Sequence, residues 1–251
     1  MTKRFFAKHV LTSKGWLDNA RIALDQTGAI TAIEPNQNVE PSDHILGGPA
    51  IPAMHNLHSH AFQRAMSGLS EIKLKGQESF WSWREIMYKF LAHIGPEDVQ
   101  NIAAQLYMEC LKSGYASVGE FHYLHHAIGG MHYSNIAEHS HQIISAAKNT
   151  GIALTHLPVL YAYSGFNDAP LSKAQERFKT DPEMILKIIQ STEKLAKSEN
   201  IASNVNVGIA PHSLRAVSMP MLQEMTNNLK NHNSEAVIHI HIAEQTKEVQ
   251  D

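Results

Sequence analysis

The sequence predicts an α/β fold, a (β/α)8 barrel of TIM type of which this chain supplies the first five strands, preceded by a small β portion. Three observations carry this expectation. From Ala50 onward, apolar strand-like runs alternate with runs of helical period, the mark of right-handed βαβ units and a parallel sheet. Polar residues gather where each strand ends: His58 and His60, His122 and Tyr123, His156 and Tyr161, His212, then His241 and Glu244. Barrel enzymes place their reactive groups at those ends. Finally, no glycine-rich phosphate loop follows the first strand, which disfavours an open doubly wound sheet.

Residues 1–49 form the β portion. Phe5–Leu11 is its first strand, Ala20–Leu24 its second, closed by Asp25-Gln26-Thr27-Gly28, and Ala29–Ile33 its third, ended by Glu34-Pro35-Asn36. Such turn residues punctuate strands, and no helical period appears here. Gly47-Gly48-Pro49 marks the boundary, and residues 50–251 are the barrel portion. Its strands are expected at Ala50–Asn56, Ser117–Tyr123, Ile152–Leu160, Asn204–Ala210 and Ala236–Ala243. Pro96–Ser113 is the clearest helix. Val99, Ile102, Ala103, Leu106 and Cys110 keep helical spacing, Pro96 suits the first turn, and Gly114 can end it. Further helices are expected over Asn135–Asn149, from Asp181-Pro182 onward, and over Ser218–Leu229. Five strands fall short of the eight that close a barrel, so a truncated piece of a longer protein is expected.

The chain has 251 residues, 43% of them hydrophobic and 18% charged, which is globular composition. A net charge of -3 leaves no nucleic-acid footprint. No apolar run has the length of a membrane span, and Lys8, His9 and Lys14 interrupt any signal-peptide core. Cys110 is the only cysteine, so no intrachain disulfide forms, and a cytoplasmic location is expected.

The chemistry starts at IPAMHNLHSHAFQR, residues 51–64. His58 and His60 stand two apart, so a strand projects both imidazoles to one face, where they can share a metal ion. In a chain with 17 histidines the pair alone is a weak signal. His241 strengthens it, with His239 two residues earlier as the competing ligand or core residue. Glu244 follows three residues later, placed to carry protons for a metal-activated water if His241 binds the ion. Arg84, between the first strand and its helix, and Arg215, after the fourth strand, suit a small dianionic substrate. An arginine binds a carboxylate through paired hydrogen bonds, and each could equally be an ordinary surface group. Gln63 and Tyr123 offer further polar contacts. Trp81 and Trp83 read as loop anchors. His125, His126, His132, His139 and His141 read as mostly solvated.

MHNLHSHAFQRAMSGL, SFWSWREIMY, EFHYLHH, APHSLRAV and HIHIAEQTKEV together resemble the amidohydrolase superfamily, and within it the N-formimidoyl-L-glutamate deiminase family. The resemblance runs from about residue 4 to the last residue. It implies a barrel joined to a small β-sandwich built from both chain ends. It also implies hydrolysis of a formimino group to N-formyl-L-glutamate and ammonia in histidine degradation. One zinc is implied on His58, His60, His241 and an aspartate after the eighth strand, with a further histidine after the sixth. Glu244 would shuttle protons, and Gln63, Arg84, Tyr123, His212 and Arg215 match the substrate-binding positions. The aspartate and later histidine have no counterpart here, so the 251-residue piece itself is expected to be inactive. Such donors also suit iron, cobalt or nickel. The resemblance implies a homodimer. The competing readings are another deaminase of the superfamily, for example on a nucleobase, or an inactive metal-binding fragment.

Overall fold

The computed structural model describes residues 3–69, 80–242, 244 and 246–250, without the side chains of 80–82 and 247. It falls into two compact units, Met1–Met54 and His55–Asp251.

The first unit is a four-stranded sheet of order β3-β2-β1-β4. Strands β1 (Lys3–Thr12) and β2 (Gly15–Leu24) pair antiparallel, β3 (Ile30–Glu34) pairs antiparallel with β2, and β4 (His44–Ile45) runs parallel to β1. Strand β2 begins five residues before its expected start, because the tight turn at Gly15, with φ +104°, keeps residues 15–19 in register with β1. Asp25 builds the next turn by accepting from the backbone N–H of Thr27 and Ala29 at 2.8 and 3.0 Å. The buried Arg21 donates to both oxygens of Asp43, Nε at 3.0 Å and Nη2 at 3.0 Å. That pairing holds the Asp43 carboxyl below its ordinary range.

The second unit is a parallel sheet faced by helices. Strands β5 (Met54–Ser59), β6 (Tyr115–His122), β7 (Ala153–Leu160) and β8 (Val205–Val207) lie in that order, and β9 (Ala210–Pro211) also pairs with β7. Helices α1 (Phe80–Leu91), α2 (Pro96–Lys112), α3 (Glu138–Thr150), α4 (Pro182–Ser198), α5 (Met219–His232) and α6 (Thr246–Gln250) are interleaved with them. The alternation expected from sequence is present. Local signals explain the helix ends: Pro96 opens α2, Asp181 caps α4 by accepting from the Met184 N–H at 2.7 Å, and Gly151 closes α3 at φ +79°. Tyr107, Phe121, Ile143 and Leu154 are fully buried in one core cluster, and Leu160, Ile185, Ile188 and Ile209 in a second. Cys110 is a buried free thiol in the first.

Three expectations need correction. The first barrel strand is not 50–56 but Met54–Ser59, since Pro52 has no N–H to give a ladder; Ala50 instead bridges to Val10. The strand expected over 204–210 is split, with Gly208 between its halves. A Cβ there would run into the Val237 carbonyl, so the chain passes too close for any other residue. The run 236–243, of which 243 lies outside the described residues, follows that broken edge only through isolated parallel bridges, Ile209 to Ile238 and Ser213 to His241. Its hydrogen bonds include Ile209 N–H to Val237 O at 3.0 Å and His239 N–H to Ile209 O at 3.1 Å.

Candidate metal centre and substrate cavity

His58 lies on β5 and His60 immediately beyond it, so strand alternation turns both imidazoles to one side. His241 reaches the same point from the far end of the chain, its backbone N–H donating to the His212 carbonyl at 3.1 Å. The Nε2 atom of His58 is 3.1 Å from that of His60 and 3.1 Å from that of His241, and ligand atoms of all three lie within 4.8 Å of one another. Two nitrogens each about 2.05 Å from one tetrahedral ion stand about 3.3 Å apart. The spacing therefore fits a single shared cation. His60 Nδ1 is 2.8 Å from the Phe121 carbonyl, which can only accept. Nδ1 thus carries the hydrogen, and the Nε2 lone pair faces the other two rings. Burial pushes His60 down to about 3 and His241 down to about 4, so both are neutral, ligand-competent imidazoles at pH 7.

These rings form one wall of a cavity of about 420 Å³. All nine residues expected from sequence to form the site line it: His58, His60, Gln63, Arg84, Tyr123, His212, Arg215, His241 and Glu244. Gln63 donates through Nε2 to the Tyr123 hydroxyl at 2.7 Å, and Tyr123 donates in turn to Met87 Sδ at 3.3 Å. Arg84 lies on α1 and not in a connecting loop. Its Nε donates to the Tyr88 hydroxyl at 2.6 Å, and its guanidinium sits 5.3 Å from that ring's centroid. Arg215 is paired with Glu244 through Nη2, and its Nε is 3.5 Å from Glu248. His212 is held neutral by burial, its Nδ1 3.1 Å from Ser213 Oγ.

Tyr161, one of the polar residues expected at a strand end, also lines the cavity, as does Tyr88, which was not expected there. Tyr88 had a signal, since it stands four residues after Arg84 on one helix face. Trp83, read as a loop anchor, is part of α1, packs on the core and lines the cavity; the side chain of Trp81 lies outside the described residues.

A second set of histidines overturns the solvated reading. His125, His126 and His139 are buried and His141 half-buried, while His132 alone is exposed. His125 and His139 gather with His122 and His156 where β6, β7 and α3 meet. His122 has ring centroids 5.6 Å from His156, 5.9 Å from His125 and 6.3 Å from His139. Among the described residues, neither nitrogen of His122 or of His156 has a hydrogen-bond partner, nor has His139 Nδ1. Burial pushes His125, His139 and His156 down to about 3 and His122 down as well. Nearby, the buried Glu120 accepts from the Ala61 N–H at 2.7 Å, and desolvation pushes its carboxyl up to about 8.

Residues 50–251 match the profile of the amidohydrolase family, and residues 2–45 that of the formimidoylglutamate deiminase HutF N-terminal domain. The chain belongs to the amidohydrolase family. Relatives of this amidohydrolase include formimidoylglutamate deiminase from Pseudomonas aeruginosa, 43% identical over 246 residues, which are 98% of this chain and 52% of the relative. The crystal structure of an amidohydrolase from Brucella melitensis is 41% identical, with a TM-score of 0.90 over 99% of this chain and 54% of that one. An adenosine deaminase from Xanthomonas campestris, crystallised with bound zinc, has a TM-score of 0.67 at 16% identity over 99% of this chain and 51% of that one; it shows the fold alone. The chain thus spans about half the length of these relatives. Among the described residues, no helix is long and apolar enough to cross a membrane.

Proposed function

We propose that this chain carries the metal-binding and substrate-binding half of an enzyme that hydrolyses N-formimidoyl-L-glutamate to N-formyl-L-glutamate and ammonia. One observation carries the reading. Three neutral imidazoles, a carboxylate and two arginines drawn from separate segments face one cavity. The resemblance to a formimidoylglutamate deiminase supports the substrate.

His58, His60 and His241 would hold a divalent ion, zinc first among those such donors take, and it would supply an activated water near neutral pH. Glu244 accepts the proton from the attacking water and delivers it to the departing nitrogen. In the structure Glu244 is tied to Arg215. A substrate carboxylate arriving at Arg215 competes for that guanidinium and releases Glu244 for proton transfer. Arg84, held by Tyr88, takes the second carboxylate. Gln63 and Tyr123 form a fixed polar pair beside the amidine, and neutral His212 presents no cation that would repel it. The same reading makes the whole protein a cytoplasmic homodimer acting in histidine degradation.

Two cationic side chains in one small cavity favour a dianion over a neutral nucleobase, which would gain nothing from the arginines even though aromatic rings also line the cavity. The test is ammonia release from N-formimidoyl-L-glutamate by the full-length protein loaded with zinc. Turnover abolished by a chelator and restored by zinc supports the reading. Turnover of adenine or guanine in preference would reject it.

A further inference from the structure

We propose that Tyr161 is a third carboxylate-binding donor, giving its hydroxyl hydrogen to a substrate carboxylate that the two arginines attract. This rests on the dianionic-substrate reading above and adds a residue to it.

The direction of that hydrogen is fixed by a chain of partners outside the cavity. The backbone N–H of Ser172 and the Ser172 hydroxyl both donate to Gln175 Oε1, at 3.0 and 2.8 Å. A backbone N–H can only donate, so the oxygen of the Gln175 amide must face Ser172. Its Nε2 then faces Tyr161 and donates to the Tyr161 hydroxyl oxygen at 2.8 Å. Gln175 is 2% exposed and Tyr161 4% exposed, so the Ser172–Gln175–Tyr161 relay is shielded from bulk solvent. The hydroxyl oxygen is therefore an acceptor on the Gln175 side, and its own hydrogen has to be donated elsewhere. Among the described residues it has no acceptor.

The backbone of Tyr161 is held as firmly. Its N–H donates to Thr180 Oγ1 at 2.8 Å, and its carbonyl accepts from the Thr180 N–H at 2.9 Å. Its ring packs 4.6 Å from His212 and 5.5 Å from Phe178. The residue lines the cavity with Arg84, Arg215 and Glu244, and the positive charge of both arginines reaches its hydroxyl, opposed by the more weakly felt Glu244 carboxylate. A buried donor with no acceptor, placed beside two guanidinium groups, is arranged for an anion that the cations attract. The substrate class this selects is a carboxylate. A neutral amide or ring nitrogen would accept the hydrogen bond but gain nothing from the arginines.

The test uses the full-length, zinc-loaded enzyme at pH 8, with KM and kcat read by ammonia release and folding by melting temperature. Tyr161→Phe removes the donor and keeps the ring. Gln175→Glu keeps the tyrosine but replaces the donating amide with an accepting carboxylate, still stabilised by Ser172, and so draws the Tyr161 hydrogen away from the cavity. Both variants are expected to raise KM for N-formimidoyl-L-glutamate roughly ten- to hundredfold, the range for one charge-assisted hydrogen bond, with kcat within about threefold. On two analogues, each lacking one carboxylate, the KM penalty is expected to persist for one and vanish for the other. Normal turnover with KM unchanged in Gln175→Glu overturns this inference alone, and does so even if Tyr161→Phe fails to fold. An equal penalty on all three substrates also overturns it, because the effect is then structural. No ammonia from the unsubstituted enzyme overturns the deiminase reading, and this inference with it.

Discussion

Replacing His156 with leucine is expected to make the protein more resistant to acid while leaving it intact at pH 7. Both nitrogens of His156 are buried without a partner, and burial pushes its pKa down to about 3. The unfolded chain would bind a proton there at about 6.5. Between these values the unfolded state holds one proton more than the native state, so stability falls as pH falls, by about 1.4 kcal/mol per pH unit. His122, His125 and His139 act in the same direction. Glu120, protonated in the native state up to about 8, offsets one of the four between pH 4.5 and 6.5. These five groups alone give about 4 kcal/mol per pH unit, against a total stability of about 5–15 kcal/mol for a typical domain. His60, His212 and His241 of the metal-free protein, which burial also holds down, add to the slope in the same direction. Cooperative unfolding is therefore expected between about pH 4 and 5.5. Urea titrations at stepped pH, followed by far-ultraviolet circular dichroism, give the slope directly. His156→Leu should lower it by about one proton and change stability at pH 7 by less than about 1 kcal/mol, since no hydrogen bond is lost. An unchanged acid slope, or a loss above about 3 kcal/mol at pH 7, would refute the reasoning.

Arg84→Met and Arg215→Met should each raise KM for the dianionic substrate by about a hundredfold in steady-state assays, as one paired carboxylate contact is lost; no loss in either would reject the dianion. Glu244→Gln should keep its metal, by elemental analysis, yet reduce kcat by about 10²–10⁴-fold. His60→Ala should lower metal occupancy at equal protein concentration, because a ligand fixed by the Phe121 carbonyl is gone. Glu120→Gln should stabilise the protein at high pH. The native carboxyl holds its proton up to about 8 while the unfolded one releases it near 4.5, so stability falls by about 1.4 kcal/mol per unit across that window. Melting curves at pH 6 and pH 9 should diverge for the native residue and converge for glutamine.

The meeting of His58 and His60 was legible because a strand's period of two turns both side chains to one face from spacing alone. That Glu244 lines the same cavity as His241 was legible from its place three residues after it. Sequence did not reveal that Arg215 and Glu244 are bound to each other, since they lie 29 residues apart and meet only through tertiary structure. Arg84 was placed in a loop because the apolar period of α1 is short and begins beside a polar stretch. The buried histidines were misread for a different reason. Histidine is equally at home in water and in a core, and runs such as His125-His126 carry no apolar pattern to show which. The last strand had the right alternation, but a ladder also depends on its neighbour, and that neighbour is interrupted at Gly208.

Gly119 sets a tolerance on the whole centre. A side-chain carbon there would stand 2.7 Å from the Leu57 carbonyl, one residue before His58. Alanine at this position would have to push β5 away from β6, carrying His58 off the point it shares with His241 while every donor atom remained. Such a lesion would show itself as weak metal retention in a protein whose three histidine donors are all still present, a fault of spacing alone.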